Sequence, residues 1–100
     1  MATEKLPSLQ VSIPAGWRNL YDQLIKDLAG LEDGLAVAQA EQKFAELRVY
    51  LARSTPEAKR LIDIAAMASR STCEECGALA RRRTNRQGYS RALCDQHWED

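Results

Sequence analysis

Three cysteines and the only histidine of the chain fall in two short pairs near the C-terminus, Cys73-Glu74-Glu75-Cys76 and Cys94-Asp95-Gln96-His97. Two residues between ligands is the spacing at which a tight backbone turn aims both side chains at one metal ion. The segment between Cys76 and Cys94 is long enough for a hairpin that returns the second pair to the first. Three sulfurs and one imidazole complete a tetrahedral Zn²⁺ shell with no position left for water. A closed shell suits one structural zinc and leaves nothing for hydrolytic chemistry. Gly77 supports this reading, because a knuckle turn favours a residue free to adopt positive φ directly after its second cysteine.

The elements that position these ligands must fit into 100 residues, one small domain or a modest core with a metal-stapled appendage. The finger occupies about the last thirty residues, too few to bury a core of their own. Structural zinc contributes about 10–16 kcal/mol of apparent binding free energy in finger peptides, enough to replace the missing core. No cysteine lies outside the site, a usage that fits a reducing compartment. Met1–Gln10 carries no basic region followed by an apolar run, and no window approaches the length of a membrane span. The expectation is a cytoplasmic protein without membrane contact.

Formal net charge is zero, so no global field draws the chain to nucleic acid or an acidic membrane. Its distribution is uneven. Between Gly77 and Leu93 stand Arg81, Arg82, Arg83, Arg86 and Arg91 with no acid among them, while Glu74, Glu75, Asp95, Glu99 and Asp100 flank the stretch.

Residues 1–15 carry Pro7 and Pro14 without helical period and read as a loose tail with a short extended stretch at Leu9–Ile13. After Gly16, the recurrence of Trp17, Leu20, Leu24, Leu28 and Leu31 predicts an amphipathic helix over about 17–30, ended by Gly30 in a left-handed cap and a turn at Asp33-Gly34. Trp17, Leu20, Leu24 and Leu28 read as core. Residues 35–52 read two ways. Val37, Ala40, Phe44, Leu47 and Leu51 make a helical seam, whereas Leu47–Leu51 alternates as a strand that Leu35–Ala38 can pair with across a turn near Gln42–Glu46. Ser54-Thr55-Pro56-Glu57 combines capping-box spacing with a first-turn proline, and Leu61, Ile62, Ala65 and Ala68 follow on one face of a helix over about 55–70. In the finger, Ala78–Arg83 and Tyr89–Leu93 flank a polar loop ending in Gly88, a hairpin, and Cys94–His97 would open a short final helical turn. The expected fold is a small α+β domain: tail 1–15, helix-strand-helix core 16–72 with a two-stranded element, and a treble-clef or zinc-ribbon finger 73–100.

Gly16-Trp17, Lys43-Phe44 with Leu47-Arg48-Val49-Tyr50, Leu61-Ile62-Asp63, and Ser71 through Gly77 with Leu93-Cys94-Asp95 occur in an order that resembles a family of small proteins from proteobacteria and their mobile elements. The resemblance covers roughly residues 16–97 and is most specific at the two ligand pairs. In that family a glycine stands between Phe and Leu and implies a β-turn; here Ala45 and Glu46 occupy those positions. Some phage-borne members resemble anti-CRISPR proteins acting on the type I-F surveillance complex, which implies a protein or ribonucleoprotein partner.

Such an inhibitor needs a rigid surface with a few anchors, and Arg and aromatic residues are the usual ones. Arg81, Arg82, Arg83, Arg86, Tyr89 and Arg91 are the candidate partner-binding residues, with protein or phosphate as counterpart; Trp98 is another candidate anchor, for which packing on the finger is the favoured reading. The alternative is a DNA- or RNA-binding transcriptional regulator using the same basic hairpin. An enzyme is disfavoured: His97 is committed to the metal, the carboxylates are scattered along solvated faces, and no glycine-rich phosphate loop exists. A monomer or weakly associating protein is expected.

Overall fold

The structure, a computed structural model, describes residues 10–31 and 35–98. The turn expected at Asp33-Gly34 and Leu9 of the first extended stretch lie outside them. Elements run β1 (Gln10–Ser12), a 3₁₀ turn (Ala15–Trp17), α1 (Arg18–Ala29), β2 (Val37–Lys43), β3 (Glu46–Leu51), α2 (Pro56–Ser69), β4 (Arg81–Thr84) and β5 (Ser90–Leu93). β2 is the middle of a three-stranded sheet, parallel to β1 and antiparallel to β3, while β4 and β5 form a separate antiparallel pair. The described residues therefore form an α+β fold, with two helices and two small sheets.

Helix α1 lies where the apolar period places it. Trp17, Tyr21, Leu24 and Leu28 are buried against Ala40, Ala45, Leu47 and Val49 of the β2–β3 hairpin and Ala58 and Ala65 of α2. Leu20 is half-buried at the edge of this core and Leu31 is exposed. Gly30 is not left-handed. Its φ is −80°, and its N–H reaches the carbonyls of Lys26 and Asp27, both at 3.2 Å, so a bifurcated bond closes the helix without an αL residue. The cap of α2 also falls one residue later than capping-box spacing suggests. Thr55, not Ser54, accepts the Ala58 N–H at 3.1 Å, with Pro56 in the first helical position.

Between the helices the chain is a hairpin, and the helical alternative for residues 35–52 is excluded. Its register pairs Val37 with Leu51 and Lys43 with Glu46, leaving Phe44 and Ala45 as a two-residue turn. Both have positive φ, 55° and 65°, the backbone of a type I′ turn in which Asn and Gly are the usual occupants. Ala45 is buried, whereas Phe44 is 63% exposed. At the outer edge of β3, the buried Ser69 hydroxyl accepts the Leu47 N–H at 2.8 Å and donates to the Ala66 carbonyl at 2.6 Å. This satisfies a strand edge with the last turn of α2.

The finger is seated directly on the start of α1. The Gly16 N–H donates to the Glu74 carbonyl at 2.8 Å, and the Trp17 indole N–H donates to the Thr72 carbonyl at 2.8 Å. A Cβ on Gly16 would stand 2.0 Å from the Cys73 carbonyl oxygen, so only glycine permits this approach.

Candidate metal centre

Each ligand pair is shaped by its own backbone. After α2 ends at Ser69, Thr72 bridges Leu79, the Cys73 N–H donates to the Ala78 carbonyl at 2.7 Å, and the Gly77 N–H returns to the Cys73 carbonyl at 2.9 Å. Gly77 takes φ +85°, as the knuckle requires. β4 and β5 then pair in register from Arg81–Leu93 to Thr84–Ser90, delivering Cys94 beside the knuckle. The loop between them is closed by Asn85, whose Oδ1 accepts the N–H groups of Gln87 and Tyr89 at 3.0 Å each. Cys94–His97 is a turn, held by the His97 N–H on the Cys94 carbonyl at 3.1 Å; no helix begins there among the described residues.

The three Sγ atoms and the imidazole nitrogen lie within 4.8 Å of one another. Cys76 Sγ is 3.7 Å from Cys94 Sγ, and His97 Nδ1 is 3.7 Å from Cys73 Sγ and 3.2 Å from Cys94 Sγ. Ligands bonded at about 2.3 Å for sulfur and about 2.0 Å for nitrogen at the corners of a tetrahedron stand roughly 3.5–3.8 Å apart, so the cluster has the size of one metal shell. All three cysteines are free thiols.

The protonation balance suits a cation. Burial pushes the Cys73 thiol up, but backbone contacts at Cys94, Cys76 and Glu75 outweigh it and bring it down to about 6. Burial also pushes Cys94 up, and the His97 ring beside it brings it below the usual thiol value. At Cys76 the Ala78 backbone lowers the thiol, yet burial and the neighbouring sulfurs of Cys94 and Cys73 leave it raised. His97 is raised by those same two sulfurs, Cys94 foremost. Three sulfurs this close cannot all ionise unaided, and a divalent ion relieves the repulsion. The Glu75 N–H on Cys73 Sγ at 3.4 Å is the kind of amide–sulfur contact that orients a thiolate ligand.

The arginines divide into two groups. Arg91 and Arg83 are not without nearby acids: the flanking carboxylates fold back onto them. Arg91 bonds Glu74 through Nε at 3.2 Å and Glu75 through Nη2 at 2.9 Å. Arg83 pairs with Asp95, donates from Nε to the Leu93 carbonyl at 3.0 Å, and stacks over Trp98 with its guanidinium carbon 5.6 Å from the ring centre. Trp98 packs on the Cys73, Leu93 and Cys94 cluster, as expected of it. The Asp95 and Glu75 carboxyls are held below their usual values by Arg83 and Arg91 respectively. Arg81, Arg82 and Arg86 are exposed and form no ion pair among the described residues, and Tyr89 is 70% exposed.

The residue sequence reasoning passed over is Glu74. Although it sits between two ligands, its side chain is 2% exposed. One oxygen takes the Ala92 N–H at 2.7 Å and the Gln42 side-chain amide at 3.0 Å, and the other takes Arg91. This buried carboxylate ties knuckle, finger hairpin and β2 together. The surplus of acids flanking an arginine-rich hairpin was the available signal for it.

No protein-family model, curated protein or solved structure matches the chain. The Cys73, Cys76, Cys94 and His97 cluster fits a zinc-binding protein, and no helix of the described residues is long and apolar enough to cross a membrane.

Proposed function

We propose that the protein is a non-enzymatic, zinc-stapled binding protein, a phage or mobile-element inhibitor that docks on a type I-F CRISPR surveillance complex and keeps target DNA from pairing with the guide. The partner follows from the family resemblance of the two ligand pairs and their neighbours. The mode of action follows from the surface. Cys73, Cys76, Cys94 and His97 would hold one zinc whose chemistry is to neutralise and fix the thiolates; every donor of that shell is a protein side chain, as in a structural site. The order of knuckle, hairpin and returning ligand pair supports a zinc-ribbon finger, since the helix that a treble clef would open at Cys94 is absent among the described residues.

The observation that carries the reading is the split among the arginines. Arg83 and Arg91 brace the hairpin from within, and Arg81, Arg82 and Arg86 are exposed without an ion pair among the described residues. A pre-organised surface loses little conformational entropy on docking, and guanidinium groups suit carboxylate or exposed RNA phosphate. Blocking requires only that the occupied surface overlap the path of the incoming DNA strand.

A gel-shift competition with purified surveillance complex, labelled target DNA and the zinc-loaded protein tests this. Target binding should fall as protein is added, and Arg81→Ala with Arg82→Ala should weaken inhibition by about 2 kcal/mol or more, while Lys59→Ala leaves it unchanged. Undiminished target binding at saturating protein would remove the inhibitor reading and put the nucleic-acid-binding regulator first.

A further inference from the structure

We propose that the cleft between the tip of the β2–β3 hairpin and strand β4 holds exposed single-stranded nucleic acid, with a base stacked on Phe44 and phosphates on Arg81, Arg82 and Arg70. The proposal deepens the reading above by naming the feature of the partner that the finger grips, and takes from it only Arg81 and Arg82 as contact residues.

Phe44 is the anomaly that motivates it. The other turn residue, Ala45, explains itself, since its methyl group is buried in the core. Phe44 has no such explanation. It takes φ 55°, a conformation that Asn or Gly adopts readily, and presents its ring to solvent with 63% exposure. Its ring contact is the Lys43 ammonium, 5.7 Å from the centroid. A large planar ring is thus held out on a two-residue turn, where folding alone does not call for it.

Phe44 also lines a cleft of about 600 Å³ whose lining includes Arg48, Arg70, Arg81 and Arg82 and a single carboxylate, Glu46, a surplus of three positive charges. Both Glu46 oxygens are taken, one by Arg48 at 3.0 Å and the other by Arg70 at 2.9 Å. Arg48 Nε is withdrawn from solvent and donates to no acceptor among the described residues. Arg81 and Arg82 have no ion pair among those residues. Asp95, whose field Arg81 also feels, is already paired with Arg83.

The ligand must therefore be an anion that also offers a flat face. An acidic peptide satisfies the guanidinium groups and leaves the ring unused. Duplex DNA satisfies the charges but keeps its base faces stacked inside. A single strand alternates phosphates with open base faces, the combination that aromatic and cationic grooves bind without strong sequence preference.

Fluorescence anisotropy of labelled mixed-sequence single-stranded DNA and RNA with the zinc-loaded protein, across a salt series, tests the proposal. Single strands should bind saturably and the duplex of the same sequence about tenfold more weakly. Phe44→Asn suits the left-handed turn, so it keeps the fold, and should weaken binding about tenfold or more, while Phe44→Tyr retains it. Arg81→Ala with Arg82→Ala should flatten the slope of log K against log salt by about 1.4, the share of two phosphates on a single strand. No saturable binding, wild-type affinity in Phe44→Asn, or displacement of the oligonucleotide by polyglutamate at equal affinity would overturn it, the last in favour of an acidic protein. The oligonucleotide assay needs no surveillance complex. Its failure with inhibition intact removes the cleft proposal alone, and binding without inhibition removes the inhibitor reading alone.

Discussion

The two hairpins of this molecule solve the same problem by opposite means. β2–β3 has long strands whose inward residues, Ala40, Leu47 and Val49, are buried against two helices together with Ala45 of the turn, and it tolerates a turn without Gly or Asn. β4–β5 has strands of four residues, of which only Ala92 and Leu93 are buried, and its turn has both Asn85 and Gly88, the latter at φ +90°. Apolar burial holds the first. The second has a buried carboxylate and four ligands close enough to hold one metal ion. Where tertiary packing is strong the local turn chemistry is free to be poor, and where packing is thin every local signal must agree.

The strongest way to break that contrast is to remove the metal. Chelation, or Cys73→Ser, should unfold residues 73–98 while α1, α2 and β2–β3 keep their structure, because the finger loses a contribution of about 10–16 kcal/mol. Amide hydrogen exchange should show protection lost in β4–β5 and kept in the helices. Equal loss everywhere would mean that the core also rests on the metal. Thiols and imidazolium must shed protons to bind zinc, so affinity should fall as pH falls, with competition growing through about 6, where Cys73 titrates without the metal. A zinc-selective fluorescent chelator read across that range gives the profile, and a flat one would contradict ligation by thiolates.

Next in size is the joint between the two regions. Glu74→Ala leaves the buried Ala92 N–H without its acceptor, while Arg91 keeps Glu75, and should destabilise the finger by about 1–3 kcal/mol even with zinc bound. Glu74→Gln keeps the shape and should lose less. Urea titration of the zinc-loaded variants measures both. Within the apolar region, Ser69→Ala removes the acceptor for the Leu47 N–H at the β3 edge and should lower stability by about 1–3 kcal/mol without altering zinc content. A Ser69→Ala protein as stable as the parent would mean that water satisfies that edge.

What the sequence showed and concealed divides along the same line. The ligand set, the Gly77 knuckle, the β4–β5 hairpin and both helices were legible, because each announces itself within a few residues: a spacing, a glycine, a period of apolar side chains. The β2–β3 hairpin stayed ambiguous, since its turn has no local signature and its identity is decided by burial of Ala45 and Leu47 against helices far away in the chain. Gly16 and Ser69 were illegible for the same reason, and Glu74 showed only as one of the acids flanking the hairpin. Their roles are contacts to Cys73, Leu47 and Ala92, set by how the finger and the helices dock. Arg83 and Arg91 stood among the candidate partner-binding residues because no acid lies within their stretch, although the hairpin brings the flanking Asp95 and Glu75 back to them.

The smallest effects sharpen the comparison most, because they separate the two residues of one turn. A non-glycine residue in the left-handed region is disfavoured by about 1–2 kcal/mol, so glycine at either position relieves strain. At Ala45, glycine also deletes a methyl group that is 1% exposed, worth about 0.8 kcal/mol, and loosens the unfolded chain, so Ala45→Gly should change stability by roughly zero. Phe44 buries too little for any such offset. Phe44→Asn should therefore stabilise the protein, by about 0.5–1 kcal/mol, as a turn residue suited to positive φ. Thermal melts of the two variants under saturating zinc, where unfolding reports the core, compare them directly. If Phe44→Asn raises the midpoint and Ala45→Gly does not, the strain at Phe44 is not explained by folding and is free to be explained by what the ring touches. If Phe44→Asn lowers the midpoint, the ring supports the fold, and the case for a stacking platform loses its first premise.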